Sequence, residues 1–376
     1  MLPFFTGAIW LYVLWRFVWP LPCGLASRIG LALVLLLISQ HHQITRRYFG
    51  SMASPEIPQA ALVGLGWAFG AVLLLAMLLL LRDVIGGLVF LASPGAGRAV
   101  LGGGVLPQAL GALAVALSAI GVWQAVRVPA VKTLEMTLPG LPQAFDGYRI
   151  AQLTDLHISR LLPKAWAAAV VARTNALAPD LTVITGDLQD GTPAARAADV
   201  LPLGALHARD GVLAIPGNHE YYADYQRWMA ALRELGLRML ENQHVILRRG
   251  DAALAIAGIT DRQAGAFGQP KPDLQAALAG IPPGTATILL DHRPGNAPQA
   301  AQAGVALQLS GHTHGGQILG AHLLTQWAND GYVSGLYTVD GMTLYVSNGT
   351  GLWNGLPIRL GRPSEITLIV LRAARR

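Results

Sequence analysis

Apolar and polar positions divide this chain into two textures. Long apolar stretches dominate the first 130 residues: Leu2–Pro20, Ile29–Ser39 extended back through Leu21–Arg28, Ala60–Leu81 and Leu106–Gln124. A helix that crosses a bilayer needs about 20 mainly apolar residues. Ala60–Leu81 meets that requirement most clearly, with an unbroken Leu/Met run closed by Arg82 and Asp83. The pattern predicts four spans. The glycine-rich stretch Ile85–Gly104 reads as interfacial or loop, and Gly66-x-x-x-Gly70 is either a helix-packing face or a reflection of high glycine content.

From Val131 onward, short β-like runs alternate with helical stretches and are punctuated by Gly, Pro, Asn and Asp. Expected strands are Tyr148–Leu153, Leu181–Thr185, Gly211–Ile215, Leu254–Gly258, Thr287–Leu290, Val305–Leu309, Thr343–Val346 and Ile366–Leu371. Expected helices are Pro163–Leu177 and Tyr222–Leu235. The organisation is therefore a helical membrane domain, 1–130, followed by an α/β domain, 131–376.

Composition supports the division. Charged residues make up 13 % of the chain and apolar residues 53 %, against about 25 % charged in soluble domains. The net charge of +6 fits attraction to anionic lipid or a phosphorylated substrate, or basic residues that merely flank spans. With four spans, Arg46, Arg47, Arg127 and Lys132 fall on one side and Arg28, Arg82 and Arg98 on the other. That balance leans toward a cytoplasmic catalytic domain in a multi-pass protein of the cell (inner) membrane. Met1 is followed by no basic segment, and three further apolar stretches come later, so a cleaved signal peptide is not expected. The lone Cys23 rules out an intramolecular disulfide and a multi-thiolate metal site.

Polar motifs follow the expected strands. Asp155-x-His157 comes after the first, and two residues at that spacing past a strand end can point the same way and share a cation. Gly186-Asp187 comes next; a carboxylate has two oxygens, so Asp187 can bridge two metals. Asp190 either orients the loop or makes an Asx turn before Gly191. In Gly217-Asn218-His219-Glu220, Asn218 offers a neutral oxygen ligand or a helix cap, and His219 suits a place beside the substrate. His292 is a ligand or a structural histidine. Gly311-His312-Thr313-His314 sets two imidazoles two residues apart. Nitrogen and oxygen donors of this kind suit Zn, Fe, Mn and similar divalent cations. His41, His42, His207, His244 and His322 have no motif around them.

The ordered set Asp-x-His, Gly-Asp-x-x-Asp, Gly-Asn-His-Glu, a single His and Gly-His-x-His resembles the calcineurin-like metallophosphoesterases. Ser310–Ile318 is similar to their bacterial membrane-associated branch. The resemblance runs from Val131 to the C-terminus. It implies a two-sheet β-sandwich flanked by helices and two divalent metal ions (Mn, Zn or Fe). By motif position, Asp155, His157, Asp187 and His314 would hold one metal. Asp187, Asn218, His292 and His312 would hold the other, leaving His219 to face substrate.

Two positions depart from the pattern. Glu220 stands where many members have Asp, and Asn348 stands where Ser-Arg-Gly is expected, leaving Arg160, Arg262 or Arg293 to supply the missing guanidinium.

The implied function is a membrane-anchored hydrolase of phosphodiester or pyrophosphate bonds. The apolar half points to a lipid-linked or envelope substrate, such as the UDP-diacylglucosamine-type pyrophosphate that some relatives cleave. The alternatives are a phosphomonoesterase or nuclease, or a catalytically silent membrane receptor or scaffold. Basic residues are dispersed with no aromatic-basic motif, so nothing favours nucleic acid as partner.

Overall fold

The computed structural model describes residues 2–102 and 104–374. They fall into two compact units: Met1–Ala125 with Asn354–Leu360, and Val126–Trp353 with Gly361–Arg376.

The first unit is helical. Gln59–Ala92 and Val105–Val126 are each long and apolar enough to cross a membrane. Leu25–Ser39 and His41–Tyr48 pass the same test together but are bent by 52°, and Leu2–Val18 is a shorter apolar helix. The stretch Ile85–Gly104, expected as interfacial or loop, is mostly helical, in the end of Gln59–Ala92 and in Pro94–Leu101, while Gly103 lies outside the described residues. Arg82 and Asp83 do not end their helix because their charges are met locally. Asp83 accepts hydrogen bonds from Arg16 Nε at 2.7 Å and Tyr12 Oη at 2.8 Å, and Arg82 donates to it at 2.7 Å. An unpaired charge among apolar helices would cost several kcal/mol. The 34-residue helix is about 50 Å long, against a hydrocarbon thickness of about 30 Å. Gly66 and Gly70 do lie on a packing face: the ideal Cβ of one would fall 2.4 Å from Pro357 Cγ and that of the other 2.6 Å from Ser118 Oγ.

The second unit is built on twelve strands: β1 (Ala130–Leu138), β2 (Arg149–Leu153), β3 (Leu181–Thr185), β4 (Val212–Ile215), β5 (Arg238–Met239), β6 (Gln243–Arg249), β7 (Ala252–Gly258), β8 (Ala286–Leu290), β9 (Leu307–Ser310), β10 (Gly335–Val339), β11 (Met342–Val346) and β12 (Glu365–Ala373). One sheet runs β1-β12-β2-β3-β4-β5 and the other β10-β11-β9-β8-β7-β6. Both are mixed. β2 to β5 are parallel neighbours, as are β7, β8, β9 and β11, while β12–β2, β10–β11 and β6–β7 pair antiparallel.

The period-2 alternation of a strand sorts side chains between layers. Ile150, Leu181, Val183, Leu213 and Ile215 of one sheet share a core with Leu254, Ile256, Ile288, Leu290, Leu307 and Leu309 of the other. The opposite face of the second sheet, with Ala257, Leu289, Leu344 and Val346, is covered by Ala297 and Ala300 of helix Ala297–Gln302. The eight expected strands are all present, within a few residues at their ends. The four not expected, β1, β5, β6 and β10, are the edges of the two sheets.

Parallel strands bring their carboxyl ends to one rim, the usual location of a site in such sheets. Here β2, β3 and β4 deliver the loops carrying Asp155, Asp187 and Asn218, and β8 and β9 deliver those carrying His292 and His312.

Candidate metal centre

Backbone hydrogen bonds lock the rim loops to one another. Asp155 N donates to Gly186 O, His157 N to Asp187 O, Gly311 N to His292 O and Gly351 N to Asp155 O, all at 2.9–3.0 Å. The loops follow tight paths. Five of the eleven described non-glycine residues with positive φ are Asp155 (52°), His157 (45°), Asp187 (54°), His312 (68°) and His314 (50°). A left-handed backbone costs a side-chain-bearing residue about 1–2 kcal/mol, and such strain gathers where function requires it. The glycines beside them permit close approach: a Cβ on Gly217 would lie 2.2 Å from Asp187 Oδ1, and one on Gly311 2.2 Å from Asp155 Oδ2.

The motif residues converge in overlapping groups. Donor atoms of Asp155, His157 and His314 lie within 4.8 Å of one another, as do those of Asp187, His292 and His312, and those of His157, Asp187 and His219. His157 Nε2 and His314 Nε2 face Asp155 Oδ1 at 4.0 and 3.6 Å. Asp187 Oδ2 stands 3.6 Å from His157 Nε2 and 3.3 Å from His292 Nε2, and Asn218 Oδ1 is 3.2 Å from the latter.

Two of the rings are oriented from behind. His292 Nδ1 donates to Thr185 O at 2.8 Å, which turns Nε2 toward Asp187. His157 Nδ1 donates to Asp190 Oδ2 at 3.2 Å. Arg293 Nη1 donates to His312 Nε2 at 2.7 Å while its Nε holds Asp261 at 2.6 Å, so the guanidinium takes the accepting nitrogen of this ring and the proton lies on Nδ1. Backing of the kind seen at His292 and His157 is the usual means of fixing a metal-binding imidazole.

These residues fit divalent cations. His157 Nε2 is buried with no hydrogen-bond partner and points at two carboxylates from beyond hydrogen-bonding distance. Buried carboxylates this close need countercharge, and every donor is nitrogen or oxygen. The protonation pattern reflects the crowding. Burial raises the Asp155 carboxyl, helped by the Asp187 charge. Asp187 is also buried, yet His292 and His219 hold it well below the usual range. Against its own burial, His292 is raised to about 10, by Asp187 first. Burial beside His292 and Arg293 drives His312 well down.

His219 is placed differently. Its Nδ1 lies 2.5 Å from Asp190 Oδ1, and its backbone N–H donates to Asp187 Oδ1 at 2.8 Å. Burial opposes a charge on this ring, but Asp190 and Asp187 raise it to about 9. Tyr222 and Trp353 flank it, with ring centroids 5.0 and 6.2 Å away.

Several contributions lie outside the sequence reading. Asp190 faces His157 and His219 at once; its place in Gly-Asp-x-x-Asp was the available signal. Glu220 accepts from Gly217 N at 2.6 Å, Leu188 N at 2.7 Å and Asp187 N at 3.0 Å, clamping two motif loops together. Burial, with the Asp187 charge, pushes its carboxyl up to about 7. Asn348 is engaged within the fold. Its Oδ1 accepts from Ser334 Oγ at 2.6 Å and its Nδ2 donates to Pro363 O at 3.1 Å, while Oδ1 fills the space a Cβ on Gly315 would need. Asp291 accepts from Asn296 Nδ2 at 2.9 Å and shapes the His292 turn. Trp353 carries no local signal in the sequence.

Comparison with known proteins gives a consistent answer. A family model described as calcineurin-like phosphoesterase matches residues 148–316. A Bos taurus transmembrane protein with metallophosphoesterase domain is 38 % identical over 69 % of this chain and 60 % of its own length. The corresponding Danio rerio protein is 35 % identical over 75 % of this chain and 66 % of its own length. An uncharacterized metallophosphoesterase of Bacillus subtilis is 33 % identical over 65 % of this chain and 86 % of its own. The chain thus spans less than two thirds of the two vertebrate relatives.

Proposed function

The chain belongs to the calcineurin-like phosphoesterases, and from that premise we propose that it is a membrane-anchored phosphodiesterase or pyrophosphatase with a dinuclear metal centre. Residues 1–130 serve as the anchor and 131–376 as the catalytic part. The observation that carries the reading is the position of Asp187, whose Oδ2 faces His157 at 3.6 Å and His292 at 3.3 Å. One carboxylate thereby serves two donor sets. Asp155, His157, Asp187 and His314 would hold one cation; Asp187, Asn218, His292 and His312 would hold the other.

Two divalent cations bound there would supply Lewis-acid charge and an ionised water as nucleophile. The chain's own residues do the rest. His219 is aimed by Asp190, whose carboxylate together with Asp187 raises the ring against its own burial, which suits it to neutralise charge on the phosphoryl oxygens or protonate the leaving oxygen. Arg293 takes the place of the arginine missing at 348. It donates to the site histidine His312 and lines a cavity of about 80 Å³ with Asp261, Arg262, Asn296 and Asp330. Tyr222 and Trp353 give the His219 side an aromatic wall.

A phosphorylated, lipid-linked substrate fits a catalytic unit carried by bilayer-length apolar helices. The test is metal analysis of the purified full chain together with turnover of a chromogenic phosphodiester, a phosphomonoester and a lipid pyrophosphate. Two metals per chain, diester or pyrophosphate turnover, and loss of both on chelation are expected. A chain that binds one metal, or hydrolyses only the monoester, overturns the reading.

A further inference from the structure

Helix His322–Ala328 carries its apolar side chains outward. Leu323, Leu324 and Trp327 are 60, 74 and 84 % exposed, and Leu319 just before them is 64 % exposed. Positions 323, 324 and 327 share one helix face, because residues three and four apart are neighbours. Polar contacts instead close the helix on its own C-terminal turn: Gln326 Nε2 donates to Gly331 O at 2.9 Å and Asn329 Nδ2 to Thr325 O at 2.8 Å. A surface helix of a water-soluble domain has the opposite arrangement, with its apolar stripe facing the core.

This face is fixed to the metal loop. A Cβ on Gly316 would lie 2.4 Å from His322 Cα, so the helix starts directly against the turn that follows His314. At its other end, Ala328, Asn329 and Asp330 line the cavity that holds Arg262 and Arg293. One short element therefore joins an exposed apolar surface to the turn after His314 and to the cavity beside Arg293.

We propose that this face docks into the interfacial zone of a lipid leaflet, with Leu319, Leu323, Leu324 and Trp327 entering the acyl boundary and the site mouth held at headgroup level. Lipid is the occupant that the chemistry favours. A tryptophan beside leucines suits the membrane interface, where the indole sits among headgroups and the aliphatic side chains go deeper. The chain also carries bilayer-length helices, so a leaflet is always within tether range. The inference rests on the reading of the protein as a membrane-anchored phosphoesterase, and it names the surface through which a lipid-borne phosphate would reach the metals.

The test uses the full chain with Cys23→Ser, reconstituted into vesicles of phosphatidylethanolamine and phosphatidylglycerol. Nitroxide labels are placed at Leu324→Cys, Trp327→Cys and, as an aqueous control, Asp251→Cys in the β6–β7 turn. Labels at 324 and 327 should meet oxygen more readily than a water-soluble nickel chelate, with the reverse at 251. Chelate access at all three positions overturns the proposal, as does immobilisation that depends on protein concentration, which would assign the face to a second copy. In parallel, the double variant Leu324→Asp/Trp327→Asp should lose about tenfold or more in turnover of a vesicle-embedded lipid pyrophosphate and keep soluble diester turnover within about twofold. Equal loss on both substrates also overturns it. Lipid-buried labels without lipid hydrolysis would support docking and sink only the lipid-substrate reading.

Discussion

Asp190 Oδ1 lies 2.5 Å from His219 Nδ1, while the other oxygen of the same carboxylate faces His157 Nδ1 at 3.2 Å. A buried acid thus links His157, proposed to face metal, to His219, proposed to face substrate. Its carboxyl is drawn down to about 2: burial opposes this, and the His219 and His157 charges outweigh it. In chain stripped of metal, the His219 ring should titrate near 9 by NMR, and Asp190→Asn should bring it back toward about 6.5. The sign follows from linkage. A raised histidine stabilises the fold fully below its unfolded value of about 6.5, and that contribution fades as pH rises through about 9. A lowered aspartate stabilises above about 3.9 and loses its contribution as pH falls through about 2. Denaturant midpoints of wild type and Asp190→Asn across pH 4–10 should therefore converge toward the alkaline end.

Asp187 and His219 should separate metal binding from chemistry. Asp187→Asn weakens the carboxylate proposed to serve both donor sets, so bound metal should fall below two per chain and turnover should vanish. His219→Ala should keep its metals and lose about 10²–10⁴-fold in kcat. Elemental analysis beside steady-state kinetics reads both, and a fully active His219→Ala enzyme would remove the proposed role.

Glu220 should matter as a brace. Glu220→Ala strands three buried amides, for an expected cost of about 2–5 kcal/mol. Metal affinity should drop about 10–100-fold because the Asp187 and Asn218 loops lose their shared acceptor. Calorimetric titration with Mn or Zn measures the second effect independently of turnover.

Arg293→Ala should lower kcat/KM on a soluble diester by about 10–100-fold, the equivalent of losing about 1.5–3 kcal/mol of charged hydrogen bonding. Arg262→Ala, at an exposed position on the cavity rim, should stay within a few-fold. If the two variants respond in the reverse order, the guanidinium replacing position 348 has been misassigned.

Gly311→Ala would set a methyl 2.2 Å from both Asp155 Oδ2 and Thr154 Oγ1. Overpacking of this kind costs about 1–3 kcal/mol. Here it should also displace a ligand, so metal content at low free metal should fall further than the thermal midpoint suggests.

The sequence by itself determined the interior of this protein and the residue types at its rim. β2, β3, β4, β7, β8, β9, β11 and β12 lie inside their sheets, mostly buried, so each is legible as an apolar run. The motif residues were legible because they follow those runs directly. The edge strands β1, β5, β6 and β10 were not, because an edge pairs on one side only and its composition is mixed, as in Gln243–Arg249 with two arginines and a histidine. Tertiary structure alone decided how the rim is held: Glu220 on the Asp187 loop, Arg293 on His312, Trp353 beside His219 and Asn348 against Gly315. Each of these joins residues from separate segments of the chain. Such contacts depend on the path of the backbone between two sheets, and local periodicity carries no record of that path.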